Sequence, residues 1–196
     1  MKIIKNFTDL NIDNIRYLSQ QNLENNEKFI RIKYSENDPF CIQTPFLSIP
    51  FGIGKNITTN LHYLDLSLTK SDNNFKKIFQ ELDSKILNDA FIRKNEWFKD
   101  SNYDADRDFK LFINNIYNKQ IKTNMNDLED IYFDYIRVYL PKIDNKWYFE
   151  IFNEDKNNIT ENDEIEENID CRCILYCDGL WFEDNEFGVS WRMGQM

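Results

Sequence analysis

Tyr132-Phe133-Asp134-Tyr135-Ile136-Arg137-Val138-Tyr139-Leu140 decides the fold class, because its second half alternates with a period of two. Ile136, Val138 and Leu140 fall on one face, and Tyr135, Arg137 and Tyr139 fall on the other, the pattern of a strand with one side in the core. Working outward, Phe29–Tyr34 sets Ile30 and Ile32 against Arg31 and Lys33, and Leu61–Leu68 sets Leu64, Leu66 and Leu68 against Tyr63, Asp65 and Ser67. Trp147, Phe149 and Ile151 alternate again. Cys171–Cys177 and Phe187–Gln195 complete about six strands, with Asp178-Gly179 and Glu183-Asp184-Asn185 read as turns.

The middle of the chain changes period. Phe75, Ile78, Phe79, Leu82, Ile86 and Leu87 recur at helical spacing, in a run that continues to Trp97 with Asp72 near its N-cap. A shorter helix fits Asp106–Tyr117, with Phe109, Phe112, Ile113 and Ile116 on one stripe. The chain therefore reads as one mainly β domain over 1–196 of the α+β class, a barrel or sandwich with an N-terminal extension 1–27, a helical insertion 72–118 and an acidic loop 154–170.

The 196 residues carry 24 Lys and Arg against 34 Asp and Glu, a formal charge of −10. That balance argues against a blanket electrostatic grip on nucleic acid, which needs basic residues clustered on a face. Eight of the acids fall in 154–170 beside one Lys, so most of the excess is local. At 41% apolar residues the chain is too hydrophobic for a disordered polyanion, and it has no apolar run long enough for a membrane helix. Met1–Asn6 contains no apolar leader, which makes the cytosol or nucleus the default expectation. The 26 Asn and two Ala are codon-biased usage typical of an AT-rich genome.

Catalytic motifs are weak. His62 is the single histidine, and no cysteine or carboxylate stands at a useful spacing from it, so it reads as structural. Asp104, Asp106 and Asp108 resemble the start of a calcium loop, but Phe109 and Asn115 occupy the positions that need Gly and Glu. Gly52–Asn56 lacks the remaining residues of a P-loop and reads as a turn. Cys171, Cys173 and Cys177 point the same way along a strand and cannot converge on one zinc, so with Cys41 they read as buried small hydrophobes. No cofactor or metal site is expected, and no enzyme activity.

The outward-facing aromatic and basic residues carry the functional reading. Tyr135, Arg137 and Tyr139, with Arg31 and Lys33, Tyr63, Lys142 and Arg192, form a stripe of rings and cations suited to a single-stranded nucleic acid, whose bases stack and whose phosphates pair with cations. Lys55, Arg93 and Lys94 are further loop and helix candidates.

Several segments also resemble a known group: Cys41–Phe46, Pro50–Ile53, Tyr63–Leu68, Glu96–Phe98, Val138–Pro141, Gly179–Phe182 and Phe187–Gln195. In their order over roughly residues 29–196 they resemble the OB-fold single-stranded-DNA-binding proteins of large nucleocytoplasmic DNA viruses, of the African swine fever virus and giant-virus type. The resemblance implies an OB-fold-like barrel of five or six strands that coats unpaired DNA in replication, repair or recombination, without catalysis. It also implies RNA as an alternative ligand, self-association, contact with viral replication proteins, and a location in the viral factory of the host cytoplasm or in the virion. Trp97, Tyr139, Trp181 and Arg192 lie in the matching motifs; Trp97 joins the binding set, whereas Trp181 and Trp191 are expected in the core. Two alternatives stay open: a structural or scaffold protein of a virus particle, and a metal-dependent nuclease using Asp104, Asp106 and Asp108.

Overall fold

The structure, a computed structural model, describes residues 3–5, 9–24, 27–36, 38–69, 73–99, 105–126, 131–160, 165–183 and 185–196. Asp72 and Asp104 lie outside them. The elements in chain order are β1 (Ile15–Tyr17), β2 (Gln21–Asn22), β3 (Lys28–Tyr34), β4 (Asp38–Gln43), β5 (Leu47–Ile49), β6 (Gly54–Lys55), β7 (His62–Ser67), α1 (Asn73–Ile92), α2 (Lys94–Trp97) and α3 (Asp106–Ile116). There follow β8 (Tyr117–Asn118), β9 (Ile121–Asn126), β10 (Ile131–Leu140), β11 (Lys142–Ile143), β12 (Lys146–Trp147), β13 (Ile169–Cys171), β14 (Ile174–Glu183) and β15 (Glu186–Gln195). The protein is mainly β with its helices inserted after β7, as the change of period requires.

One mixed sheet runs β1-β3-β4-β14-β15-β10-β7-β5-β13 along its hydrogen-bonded path. β10 is its hub. Tyr135–Leu140 pairs antiparallel with β7, Ile131–Ile136 pairs antiparallel with β9, and Tyr139 meets Arg192 of β15 in parallel. Beyond that single parallel pair β10 and β15 separate, and β8 takes the vacated place, pairing with Phe187 and Gly188.

The alternation seen in the sequence is the cause of this arrangement. Ile136, Val138, Leu140, Leu64 and Leu66 are fully or almost fully buried, and on β15 Phe187, Trp191 and Met193 join them. α1 lays Phe75, Phe79, Leu82 and Ile86 onto this core, and Trp191 is held between Phe40 and Phe79 with ring centroids at 5.5 and 5.6 Å. Burying each such side chain contributes about 1.5–3 kcal/mol. Arg93 interrupts the long helix, and α2 restarts it for one turn.

Four expectations change. The 1–27 extension is tied into the sheet, since β1 pairs with β3, Ile4 bridges Ile42, and Ile4 and Ile15 are buried. Asp178-Gly179 is no turn: β14 passes straight through it at a bulge, with Gly179 at φ +154° and its Cα so close to the neighbouring strand that a Cβ would meet the Ile30 carbonyl at 2.2 Å. Bulges recruit the same glycine chemistry as turns, which explains the misreading. The 147–151 strand is only the two-residue β12 followed by isolated bridges, although Trp147, Phe149 and Ile151 are all buried. The acidic segment is anchored by buried Ile165, and its last residues enter β13.

Candidate functional site

Where β10 and β15 diverge they leave a groove of about 660 Å³. Tyr135, Arg137, Tyr139, Lys142 and Arg192 line it, five of the residues singled out from the sequence. A second groove of about 650 Å³ adjoins it through Phe29, Asp178 and Arg192, and there Arg31 and Lys33 form the wall. Together the two grooves are lined by seven cations, Arg31, Lys33, Lys119, Lys122, Arg137, Lys142 and Arg192, and by two carboxylates, Asp178 and Glu183.

The arginines are held in fixed poses. Arg137 donates from Nε and Nη2 to the two Asp65 carboxylate oxygens at 2.8 and 2.9 Å, and its guanidinium lies 3.7 Å from the centroid of the Tyr63 ring. This fork raises the Arg137 pKa through the Asp65 hydrogen bonds and keeps the side chain flat on β7. Arg192 donates to Asp178 at 3.0 and 3.2 Å and lies over the Tyr176 ring at 4.8 Å. Burial raises the Asp178 pKa against the pull of Arg192, and burial lowers that of Lys122. Lys142 sits 4.2 Å over the buried Trp147 ring.

A buried relay fixes the wall carrying Lys119 and Lys122. Trp191 Nε1 donates to Gln120 Oε1 at 2.6 Å, and Gln120 Nε2 and Tyr117 Oη each donate to Asp83 at 2.7 Å. Burial raises the Asp83 pKa, and the hydrogen bonds from Tyr117 and Gln120 work against that rise.

Five sequence candidates fall outside the groove linings, among them Tyr63, whose ring lies under the Arg137 guanidinium. Trp97 is a correction: at 1% exposure it packs edge-on to Tyr17 and Phe182, so no base can reach its ring. Arg93 pairs with Glu96 and Lys94 with Asp106, both on the helices and outside the groove lining. Lys55 is exposed on β6, beside the loop whose Asn56, Thr59 and Leu61 line one end of the groove. Trp191 is buried as expected, whereas Trp181 is half-exposed and lines the groove.

The sequence reading missed Phe29, Lys119, Lys122 and Trp181. Phe29 shares the parity of Arg31 and Lys33, and Trp181 alternates with the buried Leu180 and Phe182, so both were legible. The two lysines were not, because their place depends on β8 inserting beside β15 and on β9 pairing with β10.

The other proposed centres are dispersed. Asp106 accepts from Lys94 at 2.8 Å and Asp108 is exposed in the first turn of α3. All four cysteines are buried and free, Cys171 and Cys173 with their sulfurs 3.5 Å apart. No group of three or more His, Cys, Asp or Glu among the described residues is placed to hold a metal ion. No helix among them is long and apolar enough to cross a membrane.

A mixed-sheet α+β protein with a basic, aromatic groove is thus the class that fold and site define. Residues 64–196, from β7 to the end of β15, match the family of unknown function DUF5871, and the chain belongs to that family. No curated protein matches it.

Proposed function

We propose that this protein binds single-stranded DNA without sequence preference and without catalysis, in the groove between β10 and β15, as a coat for unpaired DNA in the replication, repair or recombination of a large DNA virus. One observation carries the reading: a chain of net charge −10 gathers seven cations against two carboxylates along two adjoining grooves that also hold aromatic rings. Glu154, Glu166 and Asp170 line a separate groove of about 1080 Å³ that shares no lining residue with the basic one. Cations following phosphates beside rings that stack on bases are what sequence-tolerant strand binding requires.

The strand order supports an OB-type barrel as the scaffold. β4 and β5 are separated by three residues and β13 and β14 by two; β4 pairs with β14 while β5 pairs with both β13 and β7. Taken as two bent strands, they give the open mixed sheet an order of five main strands compatible with an OB-type scaffold, with β10 contributing to the groove.

Fluorescence anisotropy with a labelled oligothymidine tests the function. The expected result is dissociation constants of about micromolar or tighter at low salt, with a log–log salt slope of roughly −3, as four or five single-strand phosphate contacts give. Absence of binding at low salt contradicts the proposal.

A further inference from the structure

Three of the four tryptophans are spoken for. Trp97 packs on Tyr17 and Phe182, Trp147 on His62 and Phe149, and Trp191 on Phe40 and Phe79. Trp181 is different: it is half-exposed in the groove, and it makes no ring contact or side-chain hydrogen bond with any described residue. Phe29 and Tyr139 share these properties and line the same groove. An aromatic residue in a structure of this size normally meets another ring or an apolar partner, and the 15% aromatic content here makes such partners abundant. Three half-buried rings left without a ring partner among the described residues, all along one groove, offer their faces to a ligand with faces of its own.

Their placement is set by the backbone. Trp181 is the direct cross-strand neighbour of Phe29 on one side and of Gly188 on the other. A Cβ at Gly188 would stand 2.9 Å from Trp181 Cζ2 and 3.1 Å from the Asn118 carbonyl, so the indole lies across β15 only because residue 188 has no side chain. Tyr139 stands at the single point where β10 and β15 still pair, opposite Arg192. Arg31 and Lys33 continue the face of Phe29, Arg192 stands opposite Tyr139, and Lys119 and Lys122 line the same groove as Trp181.

We infer that Phe29, Trp181 and Tyr139 form a base-stacking track along the groove, with Trp181 as its central platform and Gly188 as the residue that positions it. This rests on the single-strand reading above and deepens it by naming the rings that take the bases and the glycine that seats the central one. The ligand class is therefore an unpaired strand with accessible base faces, and a bare polyanion is a poor substitute.

Two probes test this on the wild-type protein: an oligothymidine and a base-free deoxyribose-phosphate strand of equal length. The base-free strand is expected to bind roughly a hundred-fold or more weakly at equal salt, since each of three stacked bases contributes about five-fold or more. Oligothymidine is expected to change the tryptophan fluorescence, and Trp181→Phe, which keeps a ring, is expected to abolish that change while retaining most of the affinity. Gly188→Ala is expected to weaken oligothymidine while leaving the base-free strand unaffected. Equal binding of the two strands, or a fluorescence change that survives in Trp181→Phe, overturns the stacking track but leaves the phosphate-binding groove standing. Binding of neither strand overturns both.

Discussion

Lys119→Glu combined with Lys122→Glu is expected to weaken oligothymidine binding about a thousand-fold at 50 mM salt, because reversing two of the charges along the strand removes the equivalent of about four phosphate contacts. The melting temperature is expected to stay close to wild type. Lys119 is exposed and Lys122 partly buried, and neither donates a hydrogen bond to the relay of Gln120, Asp83 and Trp191, so the fold loses less here than at Arg137. The measurement is anisotropy beside a thermal melt. A loss of affinity under ten-fold contradicts the assignment of this wall to the binding groove.

The second large effect falls on stability. Arg137→Glu places a carboxylate against Asp65, whose side chain is 9% exposed and loses both charged hydrogen bonds at once. Removing one member of a fully buried ion pair costs about 3–5 kcal/mol, and with Arg137 itself partly exposed the low end, about 3 kcal/mol, applies. For a chain of this length that lowers the melting temperature by roughly 6–12 °C. DNA affinity falls too, so this variant cannot separate a binding role from a structural one, whereas the lysine pair can. From the sequence alone Arg137 was a surface cation of the binding stripe. Its anchoring by Asp65 becomes visible only once β7 and β10 are in register, with Arg137 opposite Asp65. A melt of Arg137→Glu within 2 °C of wild type contradicts the structural part of its role.

Which features could be read from the sequence follows from burial. β3, β10 and β15 were legible because each puts one face in the core and the other outside, and β7 because its second face, buried at Asp65 and Ser67, is still polar; a period of two survives any change of neighbours. β4 was missed for the opposite reason: Phe40, Cys41 and Ile42 are consecutive and all fully buried, so no alternation marks it. β9 was missed because an edge strand of Ile, Lys, Thr, Asn and Met carries little apolar signal. The cations of β3, β10 and β15 were placed on the correct side by parity alone. Trp97 went wrong because a helix that packs a tryptophan inward gives the same local sequence as one that exposes it, and only its neighbours Tyr17 and Phe182, far apart in the chain, decide the matter.

The net charge of −10 reads differently once the grooves are drawn. It describes the whole chain, while the charged residues lining the groove between β10 and β15 are five cations against two carboxylates, and Glu154, Glu166 and Asp170 of the acidic segment line a different opening. A duplex presents paired, stacked bases whose faces are closed to the aromatic rings of the groove, and an unpaired strand presents them open. The most direct test is therefore a gel-shift competition in which a labelled oligothymidine bound to the protein is challenged with unlabelled single-stranded and duplex DNA of equal length at one salt concentration. The account predicts that the single strand displaces the probe at a concentration at least ten-fold lower than the duplex does. Equal competition by the duplex, or no shifted band at all, contradicts it.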